Sequence, residues 1–282
     1  TFQQRDIELA LALDVTGSMR GRKLRDLKTA TAELVDIMLP DAGTANKVRL
    51  AFAPYSNGVN AGTYADASTG GRAGNRCTYE RQGVAPEKDH APGPDAYLAV
   101  DSDVPGSDCP NAAVVGLTSD KRLLKATVRG YVDGGTTAGH LGAQWASYLV
   151  SPNWGGVLGG ESEPVAYNDG KTVKAIVLMT DGEFNTWDGM CDTDRRGNQT
   201  CNPYGERGRK SNKRAKEICE AAKLRGVVVY SIGFEIGHPA ALDTLGKCAS
   251  SPLHFFRAEN GDELRQAFAS IGASLSNLRL AK

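Results

Sequence analysis

Residues 7–18 read Ile7-Glu8-Leu9-Ala10-Leu11-Ala12-Leu13-Asp14-Val15-Thr16-Gly17-Ser18. The run 7–13 is apolar apart from one glutamate and has the length of a strand. It stops abruptly in a carboxylate, a glycine and two hydroxyls. That is the profile of a buried strand delivering a polar loop at its carboxyl end. Working outward, a helix is expected over 23–39, where Leu24, Leu27, Leu34 and Met38 fall near helical spacing and Pro40 follows. A second strand is expected over 47–55, with Val48, Leu50 and Phe52 alternating.

The same alternation of apolar strand and amphipathic helix continues along the chain. Helices are expected at 119–132, 138–150, 212–225, 239–247 and 261–278, and strands at 172–179, 227–234 and 253–257. Strands separated by helices imply right-handed crossovers and a mostly parallel sheet buried on both faces. The expected architecture is therefore a doubly wound α/β domain over 1–282. Three Gly-, Pro- and Asn-rich stretches break the pattern and read as insertions, at about 57–116, 151–171 and 183–208.

Composition narrows the partner classes. Of 282 residues, 33 are Lys or Arg and 33 are Asp or Glu, for a formal net charge of zero. Such a balance gives no chain-wide reason to expect nucleic acid or an anionic membrane. No apolar run approaches the ~18 residues that span a bilayer. The chain opens at Thr1 without a signal-peptide pattern, and reads as a processed or excised soluble part of something longer.

Six cysteines allow 15 pairings. No close C-x2-C pair suggests zinc. Buried thiols are one reading, but an even count in loop-like segments favours disulfides and an oxidising compartment. Taken in chain order, the pairs are Cys77–Cys109, Cys191–Cys201 and Cys219–Cys248.

In a doubly wound sheet, ligands bind beyond the carboxyl ends of the strands. Three loops belong there. Asp14, Thr16 and Ser18 follow the first strand; Gly134-Gly135-Thr136-Thr137 opens a helix; Thr180-Asp181-Gly182 follows the strand ending at Met179. Carboxylate and hydroxyl oxygens are hard ligands suited to Mg²⁺ or Mn²⁺, which take six at ~2.0–2.2 Å. Helix N-termini favour anions, so a cation there needs Asp14 and Asp181 to outweigh the dipole. Each loop alone is an ordinary cap or turn. Together at one sheet edge they point to a metal.

These residues resemble the von Willebrand factor A (vWA) family. Asp14-Val15-Thr16-Gly17-Ser18-Met19 is similar to its D-x-S-x-S motif, with Thr for the first Ser. Thr137 matches the threonine of its second loop, and Asp181 the aspartate of its third. The resemblance implies a metal-ion-dependent adhesion site: Thr16, Ser18 and Thr137 would ligate the ion, while Asp14 and Asp181 act mostly through water. Thr136 is the alternative second-loop ligand. The ion would be Mg²⁺ or Mn²⁺, with Ca²⁺ possible.

A narrower resemblance runs through 48–60, 136–152, 174–186 and 248–254, which look like the vWA part of TadG-like pilus assembly proteins. Those are bacterial envelope proteins anchored by a membrane helix. The resemblance favours the Cys219–Cys248 pairing, and implies a periplasmic or cell-surface location with pilus or envelope components as partners.

Other motifs carry less. Asp192-Thr193-Asp194 hints at a calcium loop, but Arg196 and Pro203 break the pattern. The basic run Arg207, Arg209, Lys210, Lys213, Arg214 and Lys216 reads as a solvated helix face, or as a surface that steers an acidic partner. His140 reads as a helix-start residue. The expected function is non-enzymatic: a protein-binding or adhesion module in which a partner's Asp or Glu completes the metal's coordination. The alternatives are an envelope scaffold with a vestigial site, and a metal-dependent hydrolase, for which no nucleophile–base pair or G-x-S-x-G elbow is present.

Overall fold

The structure is a computed structural model that describes residues 5–40, 47–100 and 109–280; part of the expected insertion 57–116 lies outside them. In chain order, the strands are β1 (Asp6–Asp14), β2 (Val48–Tyr55), β3 (Val59–Asn60), β4 (Cys77–Thr78) and β5 (Val115–Thr118). They continue with β6 (Thr172–Thr180), β7 (Asp192–Thr193), β8 (Gln199–Thr200), β9 (Val228–Phe234) and β10 (Phe255–Ala258). The helices are α1 (Arg22–Met38), α2 (Ala65–Thr69), α3 (Lys121–Arg129) and α4 (Gly139–Leu149). After them come α5 (Gly155–Leu158), α6 (Glu206–Leu224), α7 (Pro239–Cys248) and α8 (Gly261–Leu280).

Among the described residues, six strands form the main sheet in the order β10-β9-β6-β1-β2-β5. All neighbours are parallel except β5, which runs antiparallel to β2. The order reverses at β1, which has β2 on one side and β6 on the other. Ligand crevices in open α/β sheets form at such switch points, here just past Asp14 and Thr180.

The chemistry of β1 explains the two layers. Leu9, Leu11 and Leu13 face one side, packing with Leu27 and Leu34 of α1 and Phe268 and Ile271 of α8. Ala10 and Ala12 face the other side, beside Ala51 and Ala53 of β2. These small side chains let α4 lie directly on the sheet, and α4 is buried on every face. Gly142 completes that approach, because a side chain there would run into the Tyr55 ring.

Glu8 is the polar exception in the apolar run, and the sheet register accounts for it. Glu8 lies opposite Arg49 on β2 and Lys174 on β6. Both cations bond its carboxylate, and all three side chains are buried. The row also holds the segment after α4. Arg49 donates to the Glu161 carbonyl, and Glu8 accepts the Val165 amide at 3.0 Å. A register slip of one residue would bury three unpaired charges.

The expected elements are present with end shifts of one or two residues, apart from three differences. The helix expected at 212–225 begins earlier, at Glu206, inside the expected insertion 183–208. The helix expected at 119–132 is shorter, because Asp120 caps it through the amides of Arg122 and Leu123 and Gly130 closes it. The edge strand β5 falls at the end of the expected insertion 57–116.

All three chain-order disulfides are formed. Cys219–Cys248 ties α6 to α7, and Cys191–Cys201 closes the β7–β8 ribbon. Within that ribbon, Asp194 accepts the Arg196 and Asn198 amides. A buried chain links α4 to the flanking segments: His140 bonds Ser211 of α6 through Nδ1 and Glu80 through Nε2, both at 2.7 Å. His140 and Ser211 have no exposed surface, so this chain is an internal brace. Among the described residues, no helix is long and apolar enough to cross a membrane.

The Arg49–Glu8–Lys174 row yields a stability test. Glu8→Ala leaves two buried cations without their acid, and should cost ~3–5 kcal/mol in urea unfolding at neutral pH. An unchanged midpoint would contradict the assignment.

Candidate metal centre

β1 ends by burying a carboxyl group. Asp14 has no exposed surface, yet its carboxylate is not isolated. Oδ1 accepts the Thr16 amide at 2.9 Å, and Oδ2 accepts the Thr180 hydroxyl at 2.7 Å. These bonds fold the loop after β1 back on itself and join it to the end of β6. Burial, with Asp181 nearby as a second negative charge, pushes the Asp14 carboxyl up to about 7.

The hydroxyls then fall into line. Thr16 Oγ1 lies 2.9 Å from Ser18 Oγ, and Ser18 donates to Asp181 Oδ1 at 2.6 Å. The second loop is clamped against the first by the Gly17 amide on the Gly135 carbonyl, at 2.9 Å, and the Gly134 amide on the Val15 carbonyl. Gly135 has φ +77°, and a side chain there would clash with Asn57. Glycine is required at that position.

Beyond Gly135, Asn185 fixes Thr137 by accepting its amide at 3.1 Å and donating its own amide to the Thr137 carbonyl at 3.0 Å. Those bonds use the backbone of Thr137 rather than its hydroxyl, which lies near Gly182, as does that of Ser18. The two oxygens lie 3.9 and 3.6 Å from where a Gly182 side chain would begin. Thr136 is more exposed and lines the opening. Asp14, Thr16, Ser18 and Asp181 are thus joined in one row of bonds, and Thr136 and Thr137 line the same cleft as Ser18 and Asp181.

Two contributors were hidden in the sequence. Thr180 secures Asp14, and Lys23 Nζ lies 2.7 Å from Asp181 Oδ2. Lys23 and Arg22 both occupy the first turn of α1, where the helix dipole disfavours cations. That mismatch was the available signal: each reaches a carboxylate, Lys23 that of Asp181 and Arg22 that of Glu235.

The residues suit a hard divalent cation. The Ser18 and Thr137 hydroxyls and the Asp181 carboxylate line an open cleft of about 620 Å³, with Thr16 bonded to Ser18 and Asp14 to Thr16 behind them, and oxygen-only donors are the set that Mg²⁺ and Mn²⁺ prefer. Among the described residues, no group of three or more His, Cys, Asp or Glu side chains could hold a metal ion, so a cation here would need hydroxyls for most of its contacts. The basic run of α6 is largely paired, with Lys210 on Glu206, Lys213 and Arg214 on Glu217, and Lys216 on Asp243.

No family model matches the sequence, and no curated protein matches it. Solved structures do. The vWF domain of the type V pili tip protein Mfa5 from Porphyromonas gingivalis is 14% identical, with a TM-score of 0.60, over 99% of this chain and 97% of that one. The pilus adhesin SpaC from Lactobacillus rhamnosus GG, in its open conformation, is also 14% identical, with a TM-score of 0.57. There the match covers 97% of this chain but 30% of SpaC. The chain therefore has the fold of vWA domains, as its sequence motifs implied.

The raised Asp14 carboxyl has a measurable consequence. Its unfolded value is about 3.9, so between about pH 4 and 7 the folded chain holds a proton that the unfolded chain releases. Stability should fall as pH rises through that window. In EDTA, urea unfolding should show wild type losing stability relative to Asp14→Asn from about pH 4 to 7. Parallel pH profiles would contradict the assignment.

Proposed function

We propose that this chain is a metal-dependent protein-binding module of a pilus or surface adhesion system. In this reading, a partner's carboxylate completes the coordination of a divalent cation, Mg²⁺ or Mn²⁺. The observation that carries it is the bonded row Asp14–Thr16–Ser18–Asp181, which reaches an open cleft lined by Ser18, Asp181 and Thr137.

Thr16, Ser18 and Thr137 would hold the ion directly. Asp14 and Asp181 would supply negative charge from behind, because their oxygens already accept bonds from Thr16, Thr180, Ser18 and Lys23. A cation held mainly by neutral hydroxyls stays electron-poor and attracts a further carboxylate. Lys23 strengthens this by neutralising part of the Asp181 charge. The rigid backbone clamps around Gly17, Gly135 and Asn185 keep the donors in place before a partner arrives, which lowers the ordering cost of binding.

The surroundings support an adhesive role outside the cytoplasm. Three disulfides fit an oxidising compartment, and Mfa5 and SpaC are pilus proteins. The TadG-like resemblance adds bacterial envelope assembly as the setting. Binding rather than turnover is the expected activity.

A second reading has one observation in its favour. Ser18 and Lys23 already satisfy both Asp181 oxygens, so the site could serve as a hydrogen-bonded junction holding three loops of a scaffold.

Calorimetric titration of Mn²⁺ and Mg²⁺ into EDTA-stripped protein separates the two readings. The adhesion reading expects saturable binding at one site, weakened at least about tenfold by Thr137→Ala and abolished by Asp14→Ala. The scaffold reading expects no binding at millimolar cation. In the same assay Lys23→Met should tighten Mn²⁺ binding, since removing a nearby positive charge favours a second cation. Weaker or equal binding by that variant would refute the role given to Lys23.

A further inference from the structure

Among the described residues, the cleft next to the proposed cation site has three carboxylates on its walls, those of Asp181, Glu183 and Glu235, and no lysine or arginine lines it. Two of the three are neutralised from behind. Lys23 Nζ is 2.7 Å from Asp181 Oδ2, and Arg22 Nη2 is 2.7 Å from Glu235 Oε1. Glu235 is fixed further by its backbone, which has φ +53° and donates its amide to the Ala258 carbonyl.

Glu183 differs from both. Its neighbour at ion-pair distance is His238, with Nε2 3.1 Å from Oε1. His238 is also the N-cap of α7, where its Nδ1 accepts the Ala240 amide at 3.3 Å. That bond occupies Nδ1, so Nε2 is the ring nitrogen that faces Glu183. The N-terminus of α7 adds only a partial positive charge. Glu183 thus faces the cleft with its carboxylate held in position, and among the described residues no lysine or arginine lies at ion-pair distance from it. Both side chains are 29% exposed, so the pair is open to a partner.

Charge counting completes the argument. Asp14, Asp181, Glu183, Glu235 and Asp26, which shares Arg22 with Glu235, carry five negative charges against four on Lys23, Arg22 and a divalent cation. A partner's carboxylate adds to that excess, and Glu183, with no lysine or arginine beside it among the described residues, is where it faces the cleft. We infer that Glu183 receives a cationic group of the partner. The bound segment is a stretch of polypeptide that carries an Asp or Glu for the metal and a Lys or Arg a few residues away. This rests on the function proposed above and narrows its partner class. Across such a cleft, complementary charge sets specificity more than raw affinity.

The test is a peptide selection on the whole chain. Random peptides displayed on phage are selected against wild type in Mn²⁺, against wild type in EDTA, and against Glu183→Gln in Mn²⁺. Glutamine can still bond the His238 ring, and equal melting temperatures would show that the variant folds. Wild type should enrich EDTA-sensitive peptides that pair an acid with a nearby Lys or Arg. Glu183→Gln should keep the preference for the acid and lose that for the base. A wild-type-selected peptide should bind Glu183→Gln at least about tenfold more weakly, while its Lys- or Arg-to-Ala analogue binds both proteins alike. Enrichment of acid alone, or a basic preference that survives in Glu183→Gln, would overturn this inference and leave the adhesion reading standing. No EDTA-sensitive binder at all would overturn both.

Discussion

The rest of the site depends on one buried carboxylate. Asp14 ends the central strand with no exposed surface, and a buried charge without hydrogen bonds is too costly to persist. The bonds that satisfy it come from the Thr16 amide and the Thr180 hydroxyl, so the loops after β1 and β6 must meet around it. Once they meet, Ser18 reaches Asp181, and the Gly134–Gly135 turn is drawn in by backbone bonds to Val15 and Gly17. The topology determines where this happens. Strand order reverses at β1, so the crevice opens where Asp14 and Asp181 stand.

The same strand carries a second buried acid near its other end. Glu8 is held between Arg49 and Lys174 by the sheet register, and through that row the segment after α4 is fastened beneath the sheet. The flanking segments are tied in elsewhere by the Glu80–His140–Ser211 chain and by disulfides. Irregular stretches thus rest on fixed anchors. This suits a face that must present several donors in advance of a partner.

Much of this was legible in residue order, because the physics involved is local or periodic. The apolar run before Asp14 gave the central strand, and Leu24, Leu27, Leu34 and Met38 gave α1. The Asp14-x-Thr16-x-Ser18 spacing located the first loop. The strand β5 was not legible: Val115-Gly116-Leu117-Thr118 is too short for periodicity, and its pairing with β2 is long-range. The start of α6 was hidden because 206–211 is polar, with Gly208 among charged residues. The clamp that Asn185 places on the Thr137 backbone was not legible either, because it joins distant segments. The roles of Lys23, Arg22 and the Glu183–His238 pair likewise come from contacts between distant segments.

The central claim is that the three hydroxyls and two acids form a cation site, and diffraction tests it most directly. Crystals grown in Mn²⁺ and measured near the manganese absorption edge should show one strong anomalous peak at the cleft floor. It should lie ~2.0–2.2 Å from the hydroxyl oxygens of Thr16, Ser18 and Thr137. A cleft floor without such a peak at millimolar Mn²⁺, with Ser18 and Lys23 still bonded to Asp181, would contradict the account.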